Sequence, residues 1–238
     1  MFKKILFVLV VLGFFVSSGD SSSPTIKKVR YLGIAVNAYT AEGFEDDYIS
    51  DAKYFEKALR KLSPYGEIES KLILGKEAQK EAVLYALNHY FDNATENDLC
   101  IIYIGTHGTD VLDKGFACIP YGGYIYGNEI ERAVKKIRGQ VLLMVDTCHA
   151  GAIIRDWKNK KDIIIAACKS EELAYNHYFV DAFDESIKTD SDLNSDGVIE
   201  FSELEQSLPI KLGKITQLQH TVFFNYFHTD LTLVFDKV

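Results

Sequence analysis

The stretch "VLLMVDTCHAGA", residues 141–152, decides the fold. Apolar residues run without a break from Val141 to Val145 and meet Asp146. Thr147, Cys148 and His149 follow, then small residues including Gly151. A short run that is apolar on every position is the mark of a strand covered on both faces, as in a parallel sheet. Its tip carries a thiol. A free thiol has a pKa near 8.5, so only a few per cent is thiolate at neutral pH, and a nucleophilic role requires a base nearby. The plain alternative is a small apolar filler.

Working outward, similar runs recur: "VRYLGIAVNAY" (29–39), "SKLILG" (70–75), "DLCIIYIGTHG" (98–108), "KDIIIAACK" (161–169) and "TLVF" (232–235). Between them lie stretches of helical period. "ISDAKYFEKALRKL" (49–62) places Ala52, Phe55, Ala58, Leu59 and Leu62 on one face. "KEAQKEAVLYALNHYF" follows, and "NEIERAVKKIRG" is stopped by Gly139. The Gly/Tyr-rich segment before that helix reads as irregular. The alternation predicts one α/β domain of three layers, an about six-stranded, mostly parallel sheet with helices on both faces. In such sheets the chemistry lies beyond the carboxyl ends of the strands. "GTHGTD" and "DTCHAG" follow successive strands and therefore project from one edge.

His107 then becomes the base for Cys148, while the adjacent His149 points elsewhere. Gly108 leaves a backbone N–H free to face a substrate carbonyl, and with the Cys148 N–H it would form an oxyanion hole, about 2.7–4 kcal/mol per donor. A zinc site of Cys148, His107 and Cys118 lacks the closely spaced ligand pairs such sites use. Asp146 is an awkward neighbour for a thiolate. Strand alternation places residues 146 and 148 on one side, so Asp146 is expected to line a pocket for a cationic side chain.

The bulk properties narrow the partners. Lys3 and Lys4 precede an uncharged run from Ile5 to Val16 and then "SSGDSSS", the layout of a secretory leader, here residues 1–19. The run is short of the roughly 20 residues a membrane helix needs. Residues 20–238 form the folded domain. Losing the leader's two lysines moves the formal charge from −8 to about −10, which repels nucleic acid. The four cysteines, Cys100, Cys118, Cys148 and Cys168, allow at most one bridge in this reading, since most sit in apolar runs.

"YIGTHGTD" and "VDTCHAG" resemble the histidine-glycine and Asp-x-Cys-His-x-Gly motifs of the caspase-like cysteine peptidases, in their metacaspase-like and bacterial branch. Legumain- and clostripain-like peptidases share the same logic. "GIAVNAY", "SDAKYFEKALRKL" and "AACKSEELAYNHYFVDAF" resemble that fold's first strand, first helix and the segment after strand five. The resemblance implies a caspase-like sandwich with Cys148 as nucleophile and His107 as general base. It also implies an acidic pocket for Arg or Lys built from Asp146 and a first-helix acid, to which Asp51 corresponds, although the glycine-cysteine pair that precedes that acid in the family is missing. The basic loop "RDWKNKKD" (155–162) reads as a solvated loop with exposed Trp157 and as a place for self-cleavage near Lys160.

"DLNSDGVIEFSE" (192–203) fits the twelve-residue EF-hand calcium loop. Asp192, Asn194 and Asp196 take positions 1, 3 and 5, Gly197 the turn, Val198 the carbonyl position, Glu200 position 9 and Glu203 position 12. The expectation is an exported, periplasmic or extracellular, monomeric endopeptidase that cuts protein or peptide substrates after Arg or Lys and binds Ca²⁺ weakly. It uses no organic cofactor and no nucleic acid, and stays out of the membrane once the leader is gone. The competing classes are a catalytically silent caspase-like domain and a calcium-binding structural protein.

Overall fold

The computed structural model describes residues 26–39, 45–60, 68–175, 177–197, 199–227 and 232–233. The leader and Val198 lie outside them. Among the described residues no helix is long and apolar enough to cross a membrane. In chain order the elements are β1 (Lys28–Ala35), β2 (Ala38–Tyr39), β3 (Glu45–Asp46), α1 (Tyr48–Leu59), β4 (Ile68–Leu74), α2 (Lys80–His89) and β5 (Asp98–Gly105). There follow β6 (His107–Val111), β7 (Gly115–Ile119), β8 (Ile125–Tyr126), α3 (Gly127–Val134), β9 (Gln140–Asp146), α4 (Ala152–Asp156) and β10 (Ile163–Ala166). The chain closes with α5 (Tyr178–Ser186), β11 (Ile199–Glu200), α6 (Phe201–Ile215), β12 (Val222–Asn225) and β13 (Thr232–Leu233).

The main sheet has six strands in the order β4-β1-β5-β9-β10-β12. All pairs are parallel except β10 with β12. Side chains alternate between two cores. Cys100, Ile102, Ile104, Val141, Leu143 and Val145 face one way, against residues of α2, α3 and α4. Leu99, Ile101, Tyr103, Leu142 and Met144 face the other, against Phe55 of α1, Phe183 of α5 and Leu204 of α6. Burial on both faces is what an unbroken apolar run requires, at about 1.5–3 kcal/mol for each large side chain. The layers are those of the expected sandwich.

Three expectations are corrected. The sixth strand is "VFFN" at 222–225, not "TLVF", because 232–233 pairs instead with β11, within the 192–203 loop. The Gly/Tyr-rich segment is a small antiparallel sheet, β6-β7-β8. The polar residues of β6 hide the strand period, although Phe116, Cys118 and Ile125 of β7 and β8 join the core on the α2 and α3 side of the main sheet. Trp157 is buried rather than exposed. Its indole N–H donates to Asp162 Oδ2 at 3.0 Å, and the backbone N–H groups of Lys158 and Asn159 donate to Glu131.

Burial pushes the Asp162 carboxyl up to about 7, against the pull of Trp157 and Asn159. Unfolding exposes it to its ordinary value near 3.9. The folded state therefore holds the extra proton between these values, and stability falls as pH rises from about 4 to about 7. Asp162→Asn keeps an acceptor for Trp157 without the charge. It is expected to be as stable as the parent near pH 4 and more stable at pH 8, by an amount on the order of a few kcal/mol, read from urea unfolding at both pH values.

Candidate active site

The site is built by two neighbouring strand ends. Register sets Gly105 of β5 beside Asp146 of β9. Thr106 then leaves the sheet, its N–H donating to the Asp146 carbonyl at 3.3 Å and its hydroxyl to the Ile119 carbonyl at 2.9 Å. This fixes where β6 begins, with His107 exposed and opposite Ile119. The next residue meets the cysteine loop. A Cβ built on Gly108 would lie 2.3 Å from the Cys148 carbonyl oxygen and 2.3 Å from Thr147 Oγ1. Glycine is required there because the two tips touch through backbone. Farther out, the Arg155 guanidinium of α4 donates twice to the Asp110 carboxylate of β6, at 2.9 and 2.8 Å.

All four cysteines are free, and only Cys148 is not buried. Burial pushes the thiols of Cys100, Cys118 and Cys168 each up to about 12, so they are inert as nucleophiles. The Cys148 Sγ lies 3.8 Å from the Ala174 carbonyl. His149, with a left-handed φ of 58°, turns away from it. Its N–H donates to the Glu172 carbonyl at 2.9 Å, and its Nδ1 lies 2.7 Å from the Ser170 carbonyl, so that nitrogen carries a proton. Gly151 has ordinary helical φ. Its role is close approach, since a Cβ would meet Ser170 N at 2.8 Å.

The strand ends at Asp146, so alternation does not extend to Cys148 as expected. It does reach Asp146, which continues the parity of Leu142 and Met144 and so turns to the α1 side. There it is 1% exposed and accepts the Tyr103 hydroxyl at 3.0 Å. Asp51 is on the same side, and it is not the surface acid that its place in a first helical turn suggests. It is 3% exposed, and burial first, then Asp146 and Asp51 in turn, raise the Tyr103 phenol. Asp51 Oδ1 is 2.6 Å from Nδ1 of His177, the residue that caps α5. Burial pushes the Asp51 carboxyl up to about 6, with His177 pulling it back and Asp47 and Asp181 adding to the rise. The sequence reading passed over His177, which sits inside "AYNHYF" without any spacing to Asp51.

The 192–203 loop turns at Gly197. Gly197 has φ 92° and its N–H donates to Asp192 Oδ2 at 2.9 Å. Asp196 N–H is shared by Asp192 and Asn194. Glu203 accepts the N–H groups of Leu193, Asn194 and Glu200. These carboxylates hold the loop's own backbone. Among the described residues no three Asp, Glu, His or Cys side chains gather as metal ligands.

Gly108→Ala forces a methyl into the backbone contact with Cys148. Overpacking of this kind costs about 1–3 kcal/mol, expected as a lower urea midpoint at unchanged m-value.

Comparison with known proteins follows this geometry. The family model described as the Peptidase C13 family matches residues 70–207, more than half of the chain. The matched span contains His107, Gly108, Asp146 and Cys148 and leaves Asp51 outside. Among solved structures, the chain is similar to a crystal structure of a protein from Geobacter sulfurreducens, at 15% identity and TM-score 0.61, over 83% of this chain and 92% of that one. That likeness concerns the fold. No curated protein matches the chain. The chain belongs to the Peptidase C13 family, a cysteine peptidase family of the legumain-like clan with a caspase-like fold.

Proposed function

We propose that the chain is an exported, monomeric cysteine endopeptidase that cleaves protein or peptide substrates after Arg or Lys. The carrying observation is the backbone contact of Gly108 with Thr147 and Cys148, which sets the His107 strand end on the one thiol that is not buried. In this reading His107 takes the Sγ proton and the thiolate attacks the scissile carbonyl carbon. The carbonyl π electrons move onto oxygen, which the N–H groups of Gly108 and Cys148 receive. Protonated His107 then gives its proton to the leaving amine as the C–N bond breaks. Water, deprotonated by His107, attacks the acyl carbon. The C–S bond breaks, Sγ regains the proton, and the carboxylic acid product departs.

Specificity is read from charge. Asp146 and Asp51 converge on Tyr103 from β9 and α1, and both are nearly excluded from water. A buried carboxylate pair favours a guanidinium or ammonium group and disfavours an acidic one. The mature chain is expected to hydrolyse Arg- and Lys-ended fluorogenic peptides and to lose turnover in Cys148→Ala. Equal or faster turnover of an Asp-ended peptide would overturn the basic preference. Silence of the parent chain toward every ended peptide would favour a catalytically silent domain.

Calcium enters the reading at the 192–203 loop, supported by its residue pattern and its Gly197 turn. Binding would draw Asp192, Asn194, Asp196, Glu200 and Glu203 onto the ion, with an affinity on the order of 10⁻⁴–10⁻³ M. The ion would brace the segment that follows β10. Millimolar calcium is then expected to raise the melting temperature relative to chelator. An unchanged value would reduce the loop to a metal-free turn.

A further inference from the structure

A cleft of about 270 Å³ opens between the start of α1 and the start of α5, lined by Ser50, Asp51, Tyr54, His177, Asp181 and Asp184. Its charges are unbalanced. Asp51, Asp181 and Asp184 line it and Asp47 caps α1 nearby, whereas the only cationic group among its lining residues is His177. Asp51 Oδ1 takes the His177 Nδ1–H at 2.6 Å. Its second oxygen, Oδ2, is buried and has no hydrogen-bond partner among the described residues. A buried carboxylate with one oxygen unmet lacks a donor, and the missing donor is cationic or strongly polar.

The segment carrying His177 also bounds the nucleophile. Ala174 receives the Cys148 Sγ–H, and His177 follows three residues later, a span of about 10 Å at most. One stretch of chain thus carries both the histidine of the cleft and the carbonyl that the thiol touches. His177 is 44% exposed at its side chain, against 5% for Asp51. The imidazole can leave toward water while the carboxylate stays.

We propose that His177 is a stand-in cation of the specificity pocket, displaced from Asp51 when the basic side chain of a substrate enters. This rests on the peptidase reading above and adds the residue that the substrate must replace. The free site holds an imidazolium on the Asp51 carboxylate. The bound site holds the substrate guanidinium or ammonium there, with His177 turned to solvent. The released imidazolium then gives its proton to water or buffer according to the pH.

The surrounding charges set the direction. Burial alone would lower the His177 pKa, but the Asp51 hydrogen bond and charge, with Asp181 and Asp47, raise it above the ordinary imidazole range. From α1 it faces Asp47 and Asp51, and from α5 Asp181. Asp184 is hydrogen-bonded to Tyr54, and the phenols of Tyr103 and Tyr31 feel Asp51 from the sheet. In solvent His177 returns toward about 6.5. Between those two values binding of a basic side chain releases a proton. Below both values the imidazolium is kept and competes in full, and above both there is no proton to release. Selectivity for basic over neutral peptides thus rises with pH.

The test uses the full mature chain carrying Cys148→Ala, which binds without turnover. The His177 ring resonance is identified by its loss in His177→Asn and titrated free and with a saturating Arg-ended peptide. The expected result is a raised His177 pKa in the free chain that falls toward the ordinary value on binding. An Asn-ended peptide should leave it raised. Calorimetry of the Arg-ended peptide in buffers of different ionisation enthalpy should show proton release. An unmoved His177 titration with calorimetrically saturated peptide overturns the displacement while leaving the peptidase reading intact. Absence of any binding heat from Arg- or Lys-ended peptides, with no turnover by the parent chain, overturns both.

Discussion

The contact between β5 and β9 is the constraint on which the site depends. Two strands buried on both faces are locked in parallel register, so Gly105 and Asp146 end side by side. Every chemical group of interest leaves from that line. Thr106 ties its own turn to Asp146, and the hydroxyl of Tyr103 reaches the same residue from two positions back. A slip by one residue would exchange the two cores, sending Tyr103 and Asp146 to the side of α2 and α3. The apolar register therefore fixes the electrostatics, although no apolar residue takes part in the chemistry.

The two sides of the sheet are specialised. On one side the tips of β5 and β9 are joined through Gly108, so the residue after His107 and the loop of Cys148 meet closely. On the other, α1 and α5 bring acids to a cleft with a single histidine among its lining residues, Asp51 buried and His177 partly exposed. Burying a carboxylate is costly, and Asp51 and Asp146 are both nearly excluded from water. The elevated Asp51 carboxyl reports that cost directly.

Much of this was legible in the residues. Unbroken apolar runs separated by helical period gave the layers, and the residues beyond β5 and β9 gave His107, Gly108 and Cys148. What escaped did so for physical reasons. β6 to β8 are short and carry Thr, Gly, Tyr and Asp among the residues that join the core, Phe116, Cys118 and Ile125, so the alternation that marks strands is weak. β12 is an edge strand whose side chains are only partly buried, and its pattern is no stronger than that of 232–235. Trp157 sits among basic residues, and only the fold reveals the buried Asp162 beneath it. His177 finds Asp51 across 126 positions, a distance no local pattern encodes. The EF-hand text was legible as a turn, while the direction of its carboxylates belongs to three-dimensional packing.

The paired bonds from Arg155 to Asp110 have a mechanical meaning. They join the helix that follows the cysteine to the strand that begins with the histidine, at a second point beyond the Gly108 contact. Two fastenings along one seam remove the hinge that a single one would leave. One jaw of the cleft is thereby stiff. The 172–175 segment, with its exposed Leu173 and Tyr175, is tied to the cysteine loop as well, through the His149 N–H on the Glu172 carbonyl and the Cys148 Sγ on the Ala174 carbonyl. With both flanks tied, the loop that carries Cys148 has no free side on which to swing, and its separation from the strand that begins with His107 is set by the fold.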